Sequence, residues 1–439
     1  MLTVEENELL CRVGPGTPMG NVFRRYWLPA IRTVDLPEAD GAPMRVRLLG
    51  EDLVAFRDSN GKVGLVAEKC AHRRASLFYG RNEECGLRCI YHGWKYDVAG
   101  NIVDTPAEPA ESRIKHHVKQ PAYPCHEVNG MVYTYMGPKE KIPRLPELPW
   151  FTLPAENVAV GAGIMINECN WLQTQEGNID STHTPFLHSR TAADGVFRPG
   201  GQGTQPFRNQ ANPPSFEINT TRWGVRAVVR YPAENGAAFT RTNTFIMPVY
   251  TALPNGAQVD GKLDGFNVNV EVPMDDFNTM RFGITVQRTT PVTNPGRAYD
   301  VREVLPNGIK LVNRRNDYMI DRPKQKDGPV YSGLDWSFAT QDGCVTETMG
   351  PIGDRENEHL GVGDSQIVAT RRFLLEAIRA VQEGRDAPGV AVGAEDDNTF
   401  DDLVMVSAIV PSDRFWMAHA PEITTCSPEV VERVLAAAR

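Results

Sequence analysis

Short segments of alternating apolar and polar residues dominate the first third of the chain. They occupy residues 45–49, 52–56, 63–66 and 131–136, and turn-forming residues at 59–61 and 99–101 lie between them. A period of two predicts strands that bury one face, and the intervening turns predict hairpins. This part of the chain is therefore predicted to be a small antiparallel β domain.

The rest of the chain combines two periodicities. Residues 170–179 and 365–383 have helical spacing, and the second segment carries a stripe that we interpret as core packing, formed by Ile367, Phe373, Leu374, Ile378 and Val381. Strand-like alternation occurs at residues 220–231, 238–248, 267–272 and 281–287. Proline-rich residues 141–149 predict a linker between the two regions. The whole pattern predicts an all-β domain followed by an α+β domain with a mostly antiparallel sheet.

The composition narrows the class of protein. A chain of 439 residues is too long for one compact core, and its 38 Gly and 33 Pro fit a fold with many turns. The net charge of −9 argues against nucleic acid as a partner, because phosphate binding requires concentrated positive charge. No apolar run is long enough to span a membrane, and the first ten residues lack the pattern of a signal peptide. We therefore expect a cytoplasmic protein.

Two short motifs each combine one cysteine with one histidine. Cys70 and His72 are followed, after sixteen residues, by Cys89 and His92. Zinc is one alternative, since it accepts two Cys and two His, but zinc fingers usually pair Cys with Cys and His with His. The mixed pairs here can give two thiolates to one iron and two imidazoles to the other, as in a Rieske [2Fe–2S] centre. Cys85, four residues before Cys89, is interpreted as a bystander thiol.

A second cluster contains two histidines around a proline. His183 and His188 are five residues apart, with Pro185 between them. On a straight helix this spacing would make the imidazoles diverge, but a break at Pro185 would allow both to face one metal. Two histidines and a carboxylate on one face hold the Fe(II) of non-heme enzymes that activate oxygen. Two surface histidines beside a proline are the alternative interpretation of the pair taken alone.

The motif Cys70-x-His72 with Cys89-x₂-His92-Gly93-Trp94 resembles the Rieske domain of aromatic ring-hydroxylating oxygenases. The similarity covers nearly the whole chain and points to the oxygenase (alpha) subunits of the phthalate dioxygenase-like branch, through segments 14–20, 24–27, 45–51, 76–84 and 170–171. It implies two cofactors, a Rieske [2Fe–2S] cluster and a mononuclear Fe(II). It also implies a helical extension at residues 1–40 that packs on the catalytic domain, a Rieske domain at 41–145, and a catalytic domain of the helix-grip type at 146–439.

The resemblance also implies where the carboxylate ligand of the mononuclear iron lies. The family draws this ligand from a helix in the C-terminal part of the chain, and Asp342 is the best match there. Glu347 and Asp354 are competitors. An aspartate after a turn is otherwise more often a helix cap, which is the alternative for Asp342.

Asp180 lies three residues before His183 and matches a family residue at a subunit contact. In the family, that aspartate links an iron-ligand histidine to a Rieske histidine of the neighbouring chain. The implied bridge runs from His183 through Asp180 to His92 of the partner subunit. A carboxylate that accepts a ring N–H also fixes the tautomer of a ligand histidine.

The resemblance implies an aromatic carboxylate as substrate. Arginine suits a dicarboxylate in an apolar pocket, because its planar fork can form two hydrogen bonds with one carboxylate. Arg208 and Arg241 are the candidate substrate-binding residues, and Arg241 lies on a predicted strand with Phe239 and Phe245. By position both are similar to carboxylate-binding arginines of phthalate dioxygenases, although the surroundings of Arg208 depart from that pattern. A solvated surface arginine is the alternative for each.

The implied reaction is the cis-dihydroxylation of a phthalate isomer with O₂. A separate NAD(P)H-dependent flavin and iron–sulfur reductase must supply electrons, because the chain has neither a dinucleotide fingerprint nor a plant-type ferredoxin cysteine run. Members of the branch form homotrimers or hexamers of stacked trimers. The same motifs fit a Rieske monooxygenase or O-demethylase of a substituted benzoate, and a dioxygenase of a halobenzoate or phenoxybenzoate. A zinc-binding interaction protein and a pure electron-transfer Rieske protein are the alternatives from other classes.

Overall fold

The computed structural model describes residues 1–191, 197–199, 212–293, 302–411 and 424. Among these residues, none of the helices has the length and apolar character that a membrane crossing requires. Arg208 lies outside the described residues, so its predicted role stays a prediction.

The N-terminal region contains three small antiparallel sheets. Its strands, in chain order, are β1 (Trp27–Arg32), β2 (Met44–Leu48), β3 (Glu51–Arg57), β4 (Val63–Ala67), β5 (Arg81–Glu83), β6 (Gly86–Arg88), β7 (Lys95–Tyr96), β8 (Ile102–Asp104), β9 (Ala122–Tyr123), β10 (Cys125–Val128) and β11 (Met131–Tyr135). The strand orders of the sheets are β1-β11-β10, β2-β3-β4-β9 and β5-β6-β7-β8. The prediction of an antiparallel β domain in this region is confirmed.

A nine-stranded antiparallel sheet is the frame of the C-terminal region. The strands there are β12 (Val158–Val160), β13 (Met165–Asn167), β14 (Ser189–Thr191), β15 (Phe197–Pro199), β16 (Ser215–Thr220), β17 (Gly224–Pro232), β18 (Ala237–Ile246), β19 (Tyr250–Leu253), β20 (Gln258–Val259), β21 (Lys262–Leu263), β22 (Gly265–Pro273), β23 (Thr279–Gln287) and β24 (Ser407–Pro411). The large sheet has the order β12-β23-β22-β19-β18-β17-β16, with β13 also paired to β23 and β24 to β18. The pairs β14-β15 and β20-β21 are separate hairpins.

The α-helices are α1 (Val4–Cys11), α2 (Pro18–Phe23), α3 (Ile114–His117), α4 (Pro149–Thr152), α5 (Trp171–Ile179), α6 (Thr184–Leu187), α7 (Arg322–Asp327), α8 (Phe338–Thr348) and α9 (Ser365–Gln382). Helices α1 and α2 are the first elements of the chain, and α5 and α9 contact strands of the large sheet. Short 3₁₀ turns occur at Thr33–Asp35, Leu77–Tyr79, Lys139–Lys141, Ala155–Asn157, Glu234–Gly236, Arg314–Met319 and Val362–Asp364. The α+β class of the C-terminal region is therefore confirmed. So is the stripe predicted on α9, because all five of its side chains are buried.

One predicted strand has different bounds in the structure. The alternation at residues 220–231 predicts a single strand, whereas β16 ends at Thr220 and β17 begins at Gly224. A turn separates them, in which the backbone N–H of Thr221 donates to the carbonyl of Gly224 at 2.9 Å. Thr221 and Trp223 lie inside this turn, but both are residue types that favour strands. The alternating pattern therefore continues through the turn and predicts one strand where the structure has two.

The connection at residues 141–149 is fixed to both of its neighbours. The indole N–H of Trp27 donates to the carbonyl of Pro143 at 2.9 Å. On the other side, the backbone N–H groups of Arg144 and Glu147 donate to the carbonyls of Ala391 and Asn398. The segment therefore joins the two regions as an ordered connection.

Helix α5 lies between the large sheet and α8. It contacts β18, β19 and β22 on one side and α8 on the other. Asn170 caps its N-terminus by accepting a hydrogen bond from the backbone N–H of Leu172 at 3.1 Å. Nearly every residue of α5 is buried, so packing on several sides fixes the position of its C-terminal end, where Asp180 follows.

Helices α1 and α2 contact α9, and α1 also contacts α5. The side-chain amide of Asn7 donates to the carbonyl of Gly353 at 2.9 Å, which ties α1 to the segment after α8. These contacts support our proposal that the helices of residues 1–40 pack on the catalytic region, but the prediction that the whole range is a helical extension is wrong, because Trp27–Arg32 forms β1 and pairs with β11. The domain boundaries at residues 40 and 145 stay a proposal.

A buried ion-pair network on α5 joins it to the segments that follow α8. Glu176 pairs with Arg355 at 2.9 Å and with Arg371 of α9 at 2.6 Å. Arg371 also forms a two-bond contact with Glu358. Burial alone would raise the pKa of Glu176, but Arg355 and Arg371 lower it below its usual value. The ionised carboxylate therefore pairs with both buried arginines, and Arg371 has Glu358 as a second partner.

Replacing Glu176 by Gln should destabilise the protein by about 3–5 kcal/mol, because it leaves two buried guanidinium groups around a neutral side chain. The folded-state pKa of Glu176 is depressed, so its contribution is present above the unfolded pKa of about 4.3 and is lost as the pH falls through the folded pKa. Urea unfolding followed by tryptophan fluorescence measures both effects.

The matched control is Glu8→Gln on α1. Glu8 forms an exposed ion pair with Arg12 at 2.6 Å, and such pairs contribute about 0.5 kcal/mol or less. Equal losses of stability in the two variants at neutral pH would contradict the role given to Glu176.

Candidate functional site

Two tight loops carry the four Cys and His residues of the first motif. In the loop after β4, the backbone N–H of Cys70 donates to the carbonyl of Ala75, and that of Arg74 donates to the carbonyl of Cys70, both at 2.9 Å. In the hairpin between β6 and β7, the N–H of Cys89 donates to the carbonyl of Trp94 at 2.8 Å. Gly93 has a φ of +75°, and an added Cβ would lie 2.6 Å from Pro106, so this turn requires glycine.

The two cysteine sulfurs are buried and the two imidazoles lie at the surface. Cys70 and Cys89 are almost fully buried, and the hydroxyl of Tyr96 lies 3.0 Å from the sulfur of Cys70. His72 and His92 are partly exposed, with ring centroids 4.5 Å apart. The ring of His72 also stacks on Trp94 at 4.4 Å. The two loops thus bring the two thiols into contact with each other and the two imidazoles into contact with each other.

This arrangement does not fit a single zinc ion. Ligand atoms about 2.0–2.3 Å from one zinc lie at most about 4.6 Å apart. In the described part of the chain, no three of these four side chains bring their ligand atoms within 4.8 Å of one another. The separated thiolate and imidazole pairs fit the two irons of a Rieske [2Fe–2S] cluster. The sulfur of Cys85 accepts a hydrogen bond from the side-chain amide of Asn60 at 3.1 Å.

The second site is built where α5 ends. Asp180 has an extended backbone, and its Oδ1 accepts hydrogen bonds from the backbone N–H of Thr182 at 2.6 Å and from its hydroxyl at 2.7 Å. The prediction that the helix breaks at Pro185 is wrong in position. The break is at Asp180, whose side chain forms this turn, and Pro185 lies in the first turn of α6, where proline is tolerated.

His183 and His188 flank the single turn of α6, and α8 brings a carboxylate to them. The two Nε2 atoms are 3.2 Å apart. The Oδ1 of Asp342 lies 3.0 Å from Nε2 of His188 and 3.7 Å from Nε2 of His183. Within the described residues these three side chains form the one group of three or more possible ligands that meets within 4.8 Å. Two imidazoles and one carboxylate are the donor set that non-heme Fe(II) prefers.

The structure separates Asp342 from its competitors. Asp342 lies inside α8, and Ser337 is the N-cap, so the interpretation of Asp342 as a helix cap is wrong. Glu347 is buried on the far side of α8, where it contacts Lys310 and Tyr318. Asp354 is exposed and accepts from the side-chain amide of Asn357 at 2.8 Å. Neither competitor reaches the two histidines.

Each of the three converging side chains has a second partner that fixes its orientation. Nδ1 of His183 is 3.5 Å from Oδ2 of Asp180, and Nδ1 of His188 is 2.6 Å from Oε1 of Gln341. Burial would raise the pKa of Asp180, but the contacts with His183 and Thr182 lower it. Asp180 therefore faces the imidazole as an ionised acceptor.

Arg281 of β23 holds the other oxygen of Asp342. Its Nη1 lies 3.3 Å from Oδ2 of Asp342, and its remaining nitrogens contact Glu271 and Asn178, also at 3.3 Å. Burial would raise the pKa of Asp342, but His188, Arg281 and His183 together lower it below its usual range. The carboxylate is thus ionised, with Oδ1 directed at the imidazoles and Oδ2 at the guanidinium.

Sequence reasoning missed Gln341 and Arg281. Gln341 immediately precedes Asp342 in the sequence. Its position next to a proposed ligand was the one feature of the sequence that could have indicated its role. Arg281 begins a correctly predicted strand, but no spacing along the chain relates it to Asp342. The pairing of β23 with β22 and the position of α8 bring the two together.

A cavity of about 310 Å³ opens beside the triad. Both histidines and Asp342 line it, together with Arg241, Phe338 and Leu253, and a group of amides, which are Asn178, Asn243, Asn255, Asn267 and Asn269. Arg241 is only 8% exposed, and its Nη1 donates to Oδ1 of Asn255 at 2.9 Å. The interpretation of Arg241 as a solvated surface residue is therefore wrong.

Comparison with known proteins defines the class. Residues 26–124 match the Rieske [2Fe-2S] domain, and residues 134–434 match the family described as LigXa C-terminal domain like. The chain is 39% identical over 431 residues to the phthalate 4,5-dioxygenase oxygenase subunit of Pseudomonas putida, covering 95% of this chain and 94% of that protein. It is 38% identical over 409 residues to the 3-chlorobenzoate-3,4-dioxygenase oxygenase subunit of Comamonas testosteroni, covering 89% and 92%.

A solved structure shares the fold. The terminal oxygenase of carbazole 1,9a-dioxygenase from Novosphingobium sp. KA1 superposes with a TM-score of 0.56 at 18% identity, covering 86% of this chain and 96% of that one. The chain therefore belongs to the Rieske non-heme iron oxygenases, as an oxygenase (alpha) subunit. It is an oxidoreductase whose cofactors are a Rieske [2Fe–2S] cluster and a mononuclear iron in the catalytic domain.

Replacing Asp342 by Ala should remove the mononuclear iron and leave the brown Rieske cluster, because the substitution takes away the one carboxylate of the triad. Iron analysis after brief chelation, with visible absorbance as the measure of the cluster, tests this. Asp354→Ala is the matched control and should keep both metals. Full mononuclear iron in Asp342→Ala, or its loss in the control, would refute the assignment.

Proposed function

We propose that Cys70, His72, Cys89 and His92 hold the Rieske cluster and that His183, His188 and Asp342 hold the mononuclear iron. Support comes from the separated thiolate and imidazole pairs in the first site and from the converging ligand atoms in the second. When bound, the mononuclear iron activates O₂ with electrons that reach it from the Rieske cluster. The protein's own residues then determine which molecule meets the activated oxygen.

We further propose that this terminal oxygenase cis-dihydroxylates an aromatic carboxylate, and that the substrate is a phthalate isomer. The observation that carries this proposal is the buried guanidinium of Arg241 in the wall of the cavity beside the triad. A buried cation in a substrate cavity favours an anionic ligand, and the planar fork can meet a carboxylate with two hydrogen bonds. The similarity over 95% of the chain to a phthalate dioxygenase oxygenase subunit supports the choice.

The polar and apolar residues of the cavity bind different parts of the substrate. Arg241 binds one carboxylate of the substrate, and Asn255 fixes the guanidinium by accepting from its Nη1. Leu253 and Phe338 supply the apolar surface for the ring. The reaction takes up O₂, two electrons and two protons, and it leaves both oxygen atoms on neighbouring ring carbons. Arg208 is proposed as the partner of the second carboxylate on the basis of sequence position alone.

A halobenzoate is the second candidate substrate. The chain is nearly as similar to a 3-chlorobenzoate dioxygenase oxygenase subunit as to the phthalate enzyme. A monocarboxylate needs one arginine, which Arg241 provides. The number of carboxylates that the cavity recognises therefore separates the two candidates.

We also propose that the protein works as a homotrimer, or as a hexamer of stacked trimers, with a separate NAD(P)H-dependent reductase. In this arrangement Asp180 bridges His183 and His92 of the partner subunit. Two features support the bridge: Asp180 already faces Nδ1 of His183, and the imidazoles of the Rieske site lie at the surface of the chain.

A single turnover in ¹⁸O₂ tests the function. The chemically reduced, iron-replete protein is offered the three phthalate isomers and 3-chlorobenzoate in parallel. We expect a cis-diol that carries two labelled atoms from one phthalate isomer. A labelled diol from 3-chlorobenzoate alone would move the assignment to the halobenzoate class, and a singly labelled phenol would make the enzyme a monooxygenase.

Arg241→Gln should raise KM for the carboxylated substrate by about 10- to 100-fold with a smaller effect on kcat, because it removes a charged hydrogen bond worth about 1.5–3 kcal/mol. Steady-state kinetics with the substrate identified above measures the change. Arg230→Gln on the neighbouring strand is the control, since Arg230 pairs with Glu217 and is not part of the cavity wall. An unchanged KM in Arg241→Gln would eliminate the role.

Asp180→Asn should leave both metals bound and nearly stop turnover, because a neutral amide replaces the ionised acceptor between the two centres. Metal analysis and the rate at which the reduced Rieske centre reoxidises with substrate and O₂ give the two readouts. Normal reoxidation in the variant would disprove the bridge.

A further inference from the structure

Gln341 is held on every side of its amide group. It is 1% exposed, and its Nε2 donates to the carbonyls of Leu334 at 2.7 Å and Trp336 at 3.1 Å. Its Oε1 lies 2.6 Å from Nδ1 of His188. Both hydrogens of the amide are thus used by backbone carbonyls, and the oxygen is the group that faces the imidazole.

This arrangement determines the tautomer of His188. Two carbonyl oxygens can only accept hydrogen bonds, so the amide cannot turn its nitrogen toward the ring without losing both of them. An amide oxygen also only accepts, so Nδ1 of His188 must carry a hydrogen. Nε2, which lies 3.0 Å from Oδ1 of Asp342, is then left with its lone pair for a metal.

We propose that Gln341 is a positioning residue, which keeps the hydrogen of His188 on Nδ1 and so aims Nε2 at the mononuclear iron. The two imidazoles are then oriented by different groups, His183 by the carboxylate of Asp180 and His188 by a neutral amide. A neutral acceptor fixes the ring without adding a second negative charge beside the partly buried Asp342. This inference rests on the proposed ligand set and is independent of the substrate.

Helix α8 delivers this control together with the carboxylate. Phe338 stacks on the ring of His188 at 4.5 Å between centroids, with an angle of 24° between the planes. Gln341 contacts the edge of the same ring, and Asp342 follows it directly in the sequence. One turn of one helix therefore restrains His188 in two directions and also supplies a proposed ligand.

The test compares Gln341→Leu with Gln366→Leu in the full-length protein loaded with its Rieske cluster. Gln366 of α9 is the matched control: it is 2% exposed, and its Nε2 also donates to two backbone carbonyls, those of Val225 and Asn243. It does not contact a histidine that the triad uses. Both variants lose two buried amide–carbonyl bonds, but only Gln341→Leu removes the acceptor from His188.

Two readouts are taken with Co²⁺ in the mononuclear site. The first is affinity, measured by competition with a chelator. We expect Gln341→Leu to bind Co²⁺ about 10- to 100-fold more weakly, as for other groups that orient metal ligands, and Gln366→Leu to bind as the unchanged protein does. The second is the proton NMR spectrum. In it, each of the two imidazoles that bind Co²⁺, those of His183 and His188, gives one exchangeable, hyperfine-shifted N–H signal. One of the two signals should be lost to solvent exchange in Gln341→Leu and retained in the control.

Unchanged affinity with both N–H signals present in Gln341→Leu would overturn the proposal, as would equal losses in the control. If Gln341→Leu does not take up its cluster, Gln341→Asn carries the test, because it keeps the amide but withdraws the oxygen by one methylene. Failure of the unchanged protein to bind Co²⁺ at the triad would instead refute the proposed ligand set, so the two failures are distinguishable.

Discussion

The structure depends on keeping one partly buried, ionised carboxylate, Asp342, beside two imidazoles. A buried charge is costly unless charged or hydrogen-bonding groups compensate for it. His183 and His188, which flank α6, and Arg281 of β23 provide that compensation from two distant segments of the chain. The packing of α5 between the large sheet and α8 brings these segments together. Glu303 helps to fix the start of α8, because its carboxylate accepts hydrogen bonds from the backbone N–H and the hydroxyl of Ser337, the N-cap of that helix.

The two candidate metal sites use the same residue types in opposite ways. In the Rieske loops the thiolates are buried and the imidazoles reach the surface, so that the imidazole end is the one a neighbouring molecule can approach. At the second site the imidazoles point inward to a cavity, and the groups behind them are Asp180 and Gln341. The two imidazoles therefore have different partners: an ionised carboxylate faces His183, and a neutral amide faces His188.

Local motifs made much of this site predictable from the sequence. The Cys and His pairs lie within two short loops, and His183 and His188 lie on either side of one helical turn, so sequence spacing describes both. Asp342 is more than 150 residues from His188, and only the resemblance to a family pointed to it. Gln341 and Arg281 could not be predicted, because their roles come from helix packing and strand pairing that bring distant segments together. The helix break was misplaced because the turn made by the side chain of Asp180 ends α5 before Pro185 is reached.

The proposed ligand sets place three irons in two environments, two in the Rieske loops and one in the triad. Mössbauer spectroscopy of ⁵⁷Fe-enriched, chemically reduced protein measures this directly, because cluster iron and six-coordinate or five-coordinate Fe(II) with nitrogen and oxygen ligands give separate signals. We expect a high-spin Fe(II) component with half the area of the cluster signal, and we expect it to disappear in His183→Ala while the cluster signal is unchanged. A cluster signal alone in the fully loaded protein, or an Fe(II) component that survives His183→Ala, would refute the proposed ligand set.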